Sequence, residues 1–126
     1  MILVDTTIWV DHLRSGHPIL VRMLERSAVL GHPWVAGEIG LGSLSRREEV
    51  LGLLRALPPA QVATNEEIDV MIEAHRLFGI GIGYVHAGLL AATLLTPDAR
   101  LWTRDRRLAA AARRLAVAGG PDAASG

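Results

Sequence analysis

Three carboxylates stand where chemistry is possible. Asp5 closes the apolar run Ile2-Leu3-Val4, Asp105 closes Leu101-Trp102-Thr103-Arg104, and Glu38 lies between two glycines, Gly37 and Gly40. Short apolar runs of this kind read as buried strands of a parallel sheet, and open α/β sheets bind ligands at the carboxyl ends of their strands. Two strand-end aspartates would therefore share one edge of the sheet, and a glutamate on a flanking helix could reach it. Carboxylates gathered without a cation repel, and hard divalent ions resolve that conflict because Mg²⁺ and Mn²⁺ choose oxygen ligands. Such an ion, held by a few carboxylates and several waters, serves phosphodiester cleavage by activating water and stabilising the charge that develops. Taken singly, Asp5 reads equally as a helix cap and Glu38 as an exposed helical glutamate. On the repulsion argument alone, Asp5→Asn is expected to stabilise the metal-free protein.

The elements that must position these groups alternate strand and helix. Thr7 to Arg14 reads as a first helix ended by Ser15-Gly16, and Pro18 opens a second with Ile19, Leu20, Met23 and Leu24 as its apolar stripe. Ala28 to Gly31 is a strand candidate, and His32-Pro33 starts a third helix through Leu44. The three glycines around Glu38 each cost a helix about 1 kcal/mol, which implies close packing or room for a ligand. Arg46 to Leu57 is a fourth helix stopped by Pro58-Pro59, Gln61 to Ala63 a weak strand, and Asn65 the cap of a fifth helix reaching Leu77. Gly79-Ile80-Gly81-Ile82-Gly83 reads as a mobile loop, since the P-loop lysine is absent. Tyr84 to Leu95 follows as a helix apolar nearly all round, with His86 its one ionisable residue. Arg100 to Thr103 is a strand, Arg106 to Leu115 a helix and Ala116 to Ala118 a possible last strand. This pattern implies a mostly parallel sheet covered on both faces, a three-layer α/β/α sandwich.

Composition narrows the function classes. The 126 residues suit one domain; half are hydrophobic and few are aromatic, so the core is aliphatic. The formal net charge is zero, and all thirteen cations are arginine, with no lysine. Six of them, Arg100, Arg104, Arg106, Arg107, Arg113 and Arg114, crowd into the last quarter, either as a solvated helix face or as a phosphate-facing surface. The absence of cysteine excludes disulfides, thiolate metal sites and cysteine nucleophiles. No basic leader and no apolar stretch near the roughly 18 residues of a membrane span is visible. A soluble, cytoplasmic protein without membrane partners is expected.

Four short motifs in order carry a resemblance: Val4-Asp5-Thr6-Thr7, Gly37-Glu38-Ile39, Gly81-Ile82-Gly83-Tyr84-Val85 with Leu89-Leu90-Ala91-Ala92, and Leu101-Trp102-Thr103-Arg104-Asp105. Together they resemble PIN-domain ribonucleases, in particular VapC-type toxins of bacterial toxin–antitoxin pairs, over residues 1–118. Residues 119–126 are expected to form a disordered tail. The resemblance implies a Mg²⁺- or Mn²⁺-dependent endoribonuclease, a homodimer, an RNA substrate and inhibition by a cognate VapB-type antitoxin. It assigns Asp5, Glu38 and Asp105 to the metal site, with Thr103 as the hydroxyl residue beside the last aspartate. Arg104 and Arg106, flanking Asp105, become the candidate RNA contacts. The fourth acidic position departs from the family pattern: His86 stands where the family has aspartate after Tyr-Val. It reads either as an inert interior histidine or as a neutral imidazole ligand, which suits Mn²⁺ or Zn²⁺ better than Mg²⁺. The alternative to an active toxin is a catalytically silent PIN fold that binds antitoxin or RNA. A receiver domain, also α/β with strand-end aspartates, is disfavoured because it needs a lysine.

Overall fold

A computed structural model describes residues 1–121. Three short parallel strands, β1 (Ile2–Val4), β2 (Val29–Leu30) and β3 (Arg100–Trp102), form a sheet in the order β2-β1-β3. Ile2 pairs with Val29 on one side and with Arg100 on the other, which fixes the register. The connections are α1 (Thr6–Ser15) and α2 (Pro18–Glu25) after β1, then α3 (Pro33–Gly40), α4 (Arg47–Ala56), α5 (Asn65–Ala74) and α6 (Tyr84–Leu95) after β2, with α7 (Arg106–Arg114) after β3. The chain steps one way from β1 to β2 and back across β1 to β3. With right-handed crossovers, that reversal puts the helices of the two connections on opposite faces, as the expected α/β/α sandwich requires. It also makes the gap between the ends of β1 and β3 the switch point at which such sheets bind ligands.

Burial follows the apolar pattern. Leu3, Val4, Leu101 and Trp102 of the sheet are buried with Ile8, Leu20, Leu89, Leu90 and Leu108 from the helices, and every residue of α6 from Ala87 to Thr93 is buried. No helix among the described residues is long and apolar enough to cross a membrane.

Five local expectations are corrected. The helix expected to run to Leu44 ends at Gly40, and Gly42 turns back by donating to the Ile39 carbonyl at 3.1 Å. Neither Gly37 nor Gly40 is forced by packing: a Cβ on Gly37 meets nothing within 4 Å, and one on Gly40 makes ordinary contacts. Residues 61–63 form no strand. Pairing there stops at one bridge between Gly31 and Pro59, made by the Gly31 N–H to the Pro58 carbonyl and the Ala60 N–H to the Gly31 carbonyl, and the Gln61 N–H turns to the Thr96 hydroxyl. Thr64, not Asn65, caps α5, in a reciprocal capping box with Glu67. The last strand shrinks to one bridge, Ala118 to Leu101. Beyond it, Gly119 donates to the Leu101 carbonyl at 2.9 Å and Gly120 lies against the Trp102 ring. The remainder of the expected tail, residues 122–126, lies outside the described residues.

Candidate active site

The site is built around a buried charge. The Asp5 N–H donates to the Trp102 carbonyl at 2.9 Å, which continues the β1–β3 ladder to the strand end. The Asp5 side chain is 0% exposed. Its Oδ1 accepts from the Thr6 N–H at 2.7 Å, at the start of α1. Its Oδ2 accepts from the Thr103 hydroxyl at 2.6 Å and from the Thr7 hydroxyl at 3.1 Å. His86, in the first turn of α6, brings Nε2 to 3.8 Å from the same Oδ2. The cap reading of Asp5 holds: it starts α1, and its carboxylate also accepts from Thr103 beyond the end of β3.

Two threonines extend this centre to the other carboxylates. The Thr6 hydroxyl donates to Glu38 Oε1 at 2.7 Å, tying the middle of α3 to the start of α1. The Thr103 hydroxyl accepts from the Asp105 N–H at 3.0 Å, and Asp105 Oδ1 in turn caps α7 by accepting from the Leu108 N–H at 2.9 Å. Thr6 thus joins Glu38 to Asp5 through its hydroxyl and its N–H, while Thr103 joins the Asp5 carboxylate to the Asp105 backbone rather than to its carboxylate. Among the described residues, no three histidine, aspartate or glutamate side chains stand together as ready-made metal ligands.

The arginines divide. Arg104 is anchored by its N–H to the Thr7 hydroxyl at 3.2 Å, and its guanidinium pairs with Asp11 of α1. Arg106 and Arg107 are exposed in the first turn of α7, where the helix dipole disfavours cations. Arg107 lies beneath the glycine-rich loop: Gly81 has φ +86°, and a Cβ there would overlap the guanidinium. Gly88 has a similar reason, since a Cβ on it would collide with the Trp34 ring. The sequence reading missed Thr6 and Thr7 as site residues and Asp11 as the partner of Arg104. Two hydroxyls directly after a strand-end carboxylate were the available signal, read only as caps.

The donors fit a hard divalent cation in kind. Oxygens of Asp5, Glu38 and Asp105 dominate, and buried charges are normally paired or coordinate a metal. Asp5 is wholly buried, yet among the described residues its one ion-pair contact is the distant, pH-dependent one with His86.

No protein-family model matches the chain. Ribonuclease VapC32 of Mycobacterium tuberculosis, from strain CDC 1551 / Oshkosh and from strain ATCC 25618 / H37Rv, is 44% identical over 104 residues, covering 82% of this chain and 84% of the relative. This chain belongs to the VapC ribonuclease family. Membership agrees with the α/β PIN-like fold, with its parallel sheet and with Asp5 at the switch point. Within this VapC protein, His86 is a nitrogen donor set against an otherwise oxygen-rich edge.

Proposed function

We propose that this VapC protein is an endoribonuclease toxin whose hydrolysis of RNA depends on Mg²⁺ or Mn²⁺, with Asp5, Glu38 and Asp105 holding the ion. The observation that carries the reading is Asp5, a fully buried carboxylate at the sheet's switch point that lacks a close cationic partner among the described residues. When bound, the ion activates water and offsets charge developing on the phosphate. The chain's own groups set the stage. Thr6 and Thr103 orient Glu38 and Asp5, Asp105 fixes the start of α7, and Arg104 and Arg106 receive the RNA backbone beside them. His86 removes one negative charge from the site and favours Mn²⁺ over Mg²⁺.

The partners follow from the same reading: a VapB-type antitoxin and a second copy of this chain. A cavity of about 750 Å³ is walled by Glu38, Val10, Leu13, Arg46 and Leu53, so an antitoxin segment seated there would reach the site at Glu38. The exposed apolar pair Val70 and Leu94, on α5 and α6, offers a separate face for the dimer mate. A cytoplasmic location accords with an RNA substrate. The other reading, a silent PIN fold that binds antitoxin or RNA, draws on His86.

Incubating the purified protein with a labelled single-stranded RNA decides between them. Cleavage that needs Mg²⁺ or Mn²⁺, stops with EDTA and is lost in Asp5→Asn supports the enzyme. RNA or antitoxin binding without cleavage under any metal supports the silent fold. Light scattering of the protein alone should give a dimer mass, and a monomer persisting at high concentration counts against the dimer.

A further inference from the structure

Arg104 sits between Thr103 and Asp105, at the edge where the reading above places the RNA backbone. Its side chain is not free. It crosses to α1 and pairs with Asp11, which lies four residues after Thr7 and so on the same helical face. Arg104 remains 55% exposed and Asp11 32%, so the guanidinium is reachable from solvent while its partner sits deeper. Asp11 Oδ2 is buried and makes no hydrogen bond among the described residues, so the ion pair with Arg104 is its one partner there. The Arg104 backbone is held separately, by the Thr7 hydroxyl, so the side chain can leave Asp11 without moving the loop.

We infer that Asp11 is a positioning residue that occupies the Arg104 guanidinium in the RNA-free protein and yields it to an RNA phosphate on binding. This rests on the reading of Arg104 as an RNA contact. A carboxylate and a phosphate oxygen offer the same fork of acceptors to guanidinium, so one can replace the other. The pair is partly exposed, and such pairs are weak, so the exchange is reversible and its cost modest. Asp11 thereby lowers affinity for RNA of any sequence, since phosphate contacts carry no base information. It also lowers the salt dependence, because the released carboxylate takes up a cation as the RNA phosphate gives one up.

Fluorescence anisotropy with a labelled single-stranded RNA in EDTA reads binding without cleavage. Asp11→Asn should tighten binding about two- to fivefold at low salt, and the slope of log affinity against log salt should steepen by about 0.7, the value for one added phosphate contact on a single strand. Arg104→Ala should weaken binding, and adding Asp11→Asn to it should change nothing further. Equal melting temperatures of wild type and Asp11→Asn would show that the fold is intact. Unchanged or weaker binding by Asp11→Asn, with Arg104→Ala still weakening it, overturns the exchange but leaves Arg104 as an RNA contact. If Arg104→Ala has no effect, or wild type and Asp11→Asn both fail to bind, the exchange and the RNA role of Arg104 fall together.

Discussion

Replacing Asp5 by asparagine keeps the shape of the central side chain and removes its charge. Repulsion among clustered carboxylates would make that change stabilising, as the sequence reading expected. The hydrogen bonds reverse the sign. Asp5 accepts from one N–H and two hydroxyls, at 2.7, 2.6 and 3.1 Å. Asparagine turns an NH₂ towards hydroxyls that now donate, forcing Thr103 and Thr7 to rotate, and downgrades three charge-assisted bonds to neutral ones. Each downgrade costs about 1 kcal/mol. These are net values that already include desolvation of the charge, so the loss is about 3 kcal/mol, which for a chain of this size lowers the melting temperature by roughly 9–15 °C. Thermal melts of both proteins in EDTA at pH 7.5, followed by circular dichroism, read this directly. An unchanged or higher melting temperature for Asp5→Asn would show that repulsion dominates and that the threonine donors do not stabilise the charge.

Three further outcomes are expected. His86→Asp should raise Mg²⁺-dependent RNA cleavage at least about tenfold, or roughly 1.4 kcal/mol of transition-state stabilisation, and shrink the preference for Mn²⁺; equal rates in Mg²⁺ from pH 6 to 8 would remove position 86 from the working site. Burial lowers the pKa of His32, whose Nδ1 caps α3 by accepting from the Trp34 N–H at 3.0 Å. The unfolded chain therefore takes up this proton first, so stability should fall as pH drops below the ordinary value of 6.5 and level off below the lowered folded one. His32→Asn retains a capping side chain, and its melting temperature should fall less than that of wild type between pH 7.5 and 5; equal falls would acquit His32. Gly88→Ala should destabilise, because overpacking against Trp34 costs about 1–3 kcal/mol while alanine's better helix propensity returns about 1 kcal/mol. A raised melting temperature would show that the Trp34 ring moves aside freely.

The sequence made the site's anchors legible because they depend on local pattern. An apolar run ending in aspartate places Asp5 at the end of β1, whereas Asp105 falls three residues beyond β3 as the cap of α7, and the nearly all-apolar stretch from Tyr84 to Leu95 forms the expected buried helix. What joins those anchors depends on tertiary placement. Thr6 and Glu38 are 32 residues apart, and Thr103 and Asp5 are 98 apart, so their hydrogen bonds leave no periodic trace. The pairing of Asp11 with Arg104 is hidden for the same reason, since each reads alone as a solvated charge. Cap positions erred by one residue at Thr64 and Asn65, where two capping types stand side by side and the reciprocal bond to Glu67 decides. The strand expected at residues 61–63 failed because the Gln61 N–H donates to the Thr96 hydroxyl, a partner 35 residues away that the local pattern does not show.

Mn²⁺ binding followed by electron paramagnetic resonance tests, without relying on catalysis, whether Asp5, Glu38 and Asp105 serve one divalent ion. Titration of the metal-free protein should reveal one Mn²⁺ per chain. That binding should be lost or strongly weakened in Asp5→Asn, Glu38→Gln and Asp105→Asn, and kept in Asp98→Asn, a change at an exposed turn residue between α6 and β3. A wild type that binds no Mn²⁺, or binding that survives all three substitutions, would contradict it.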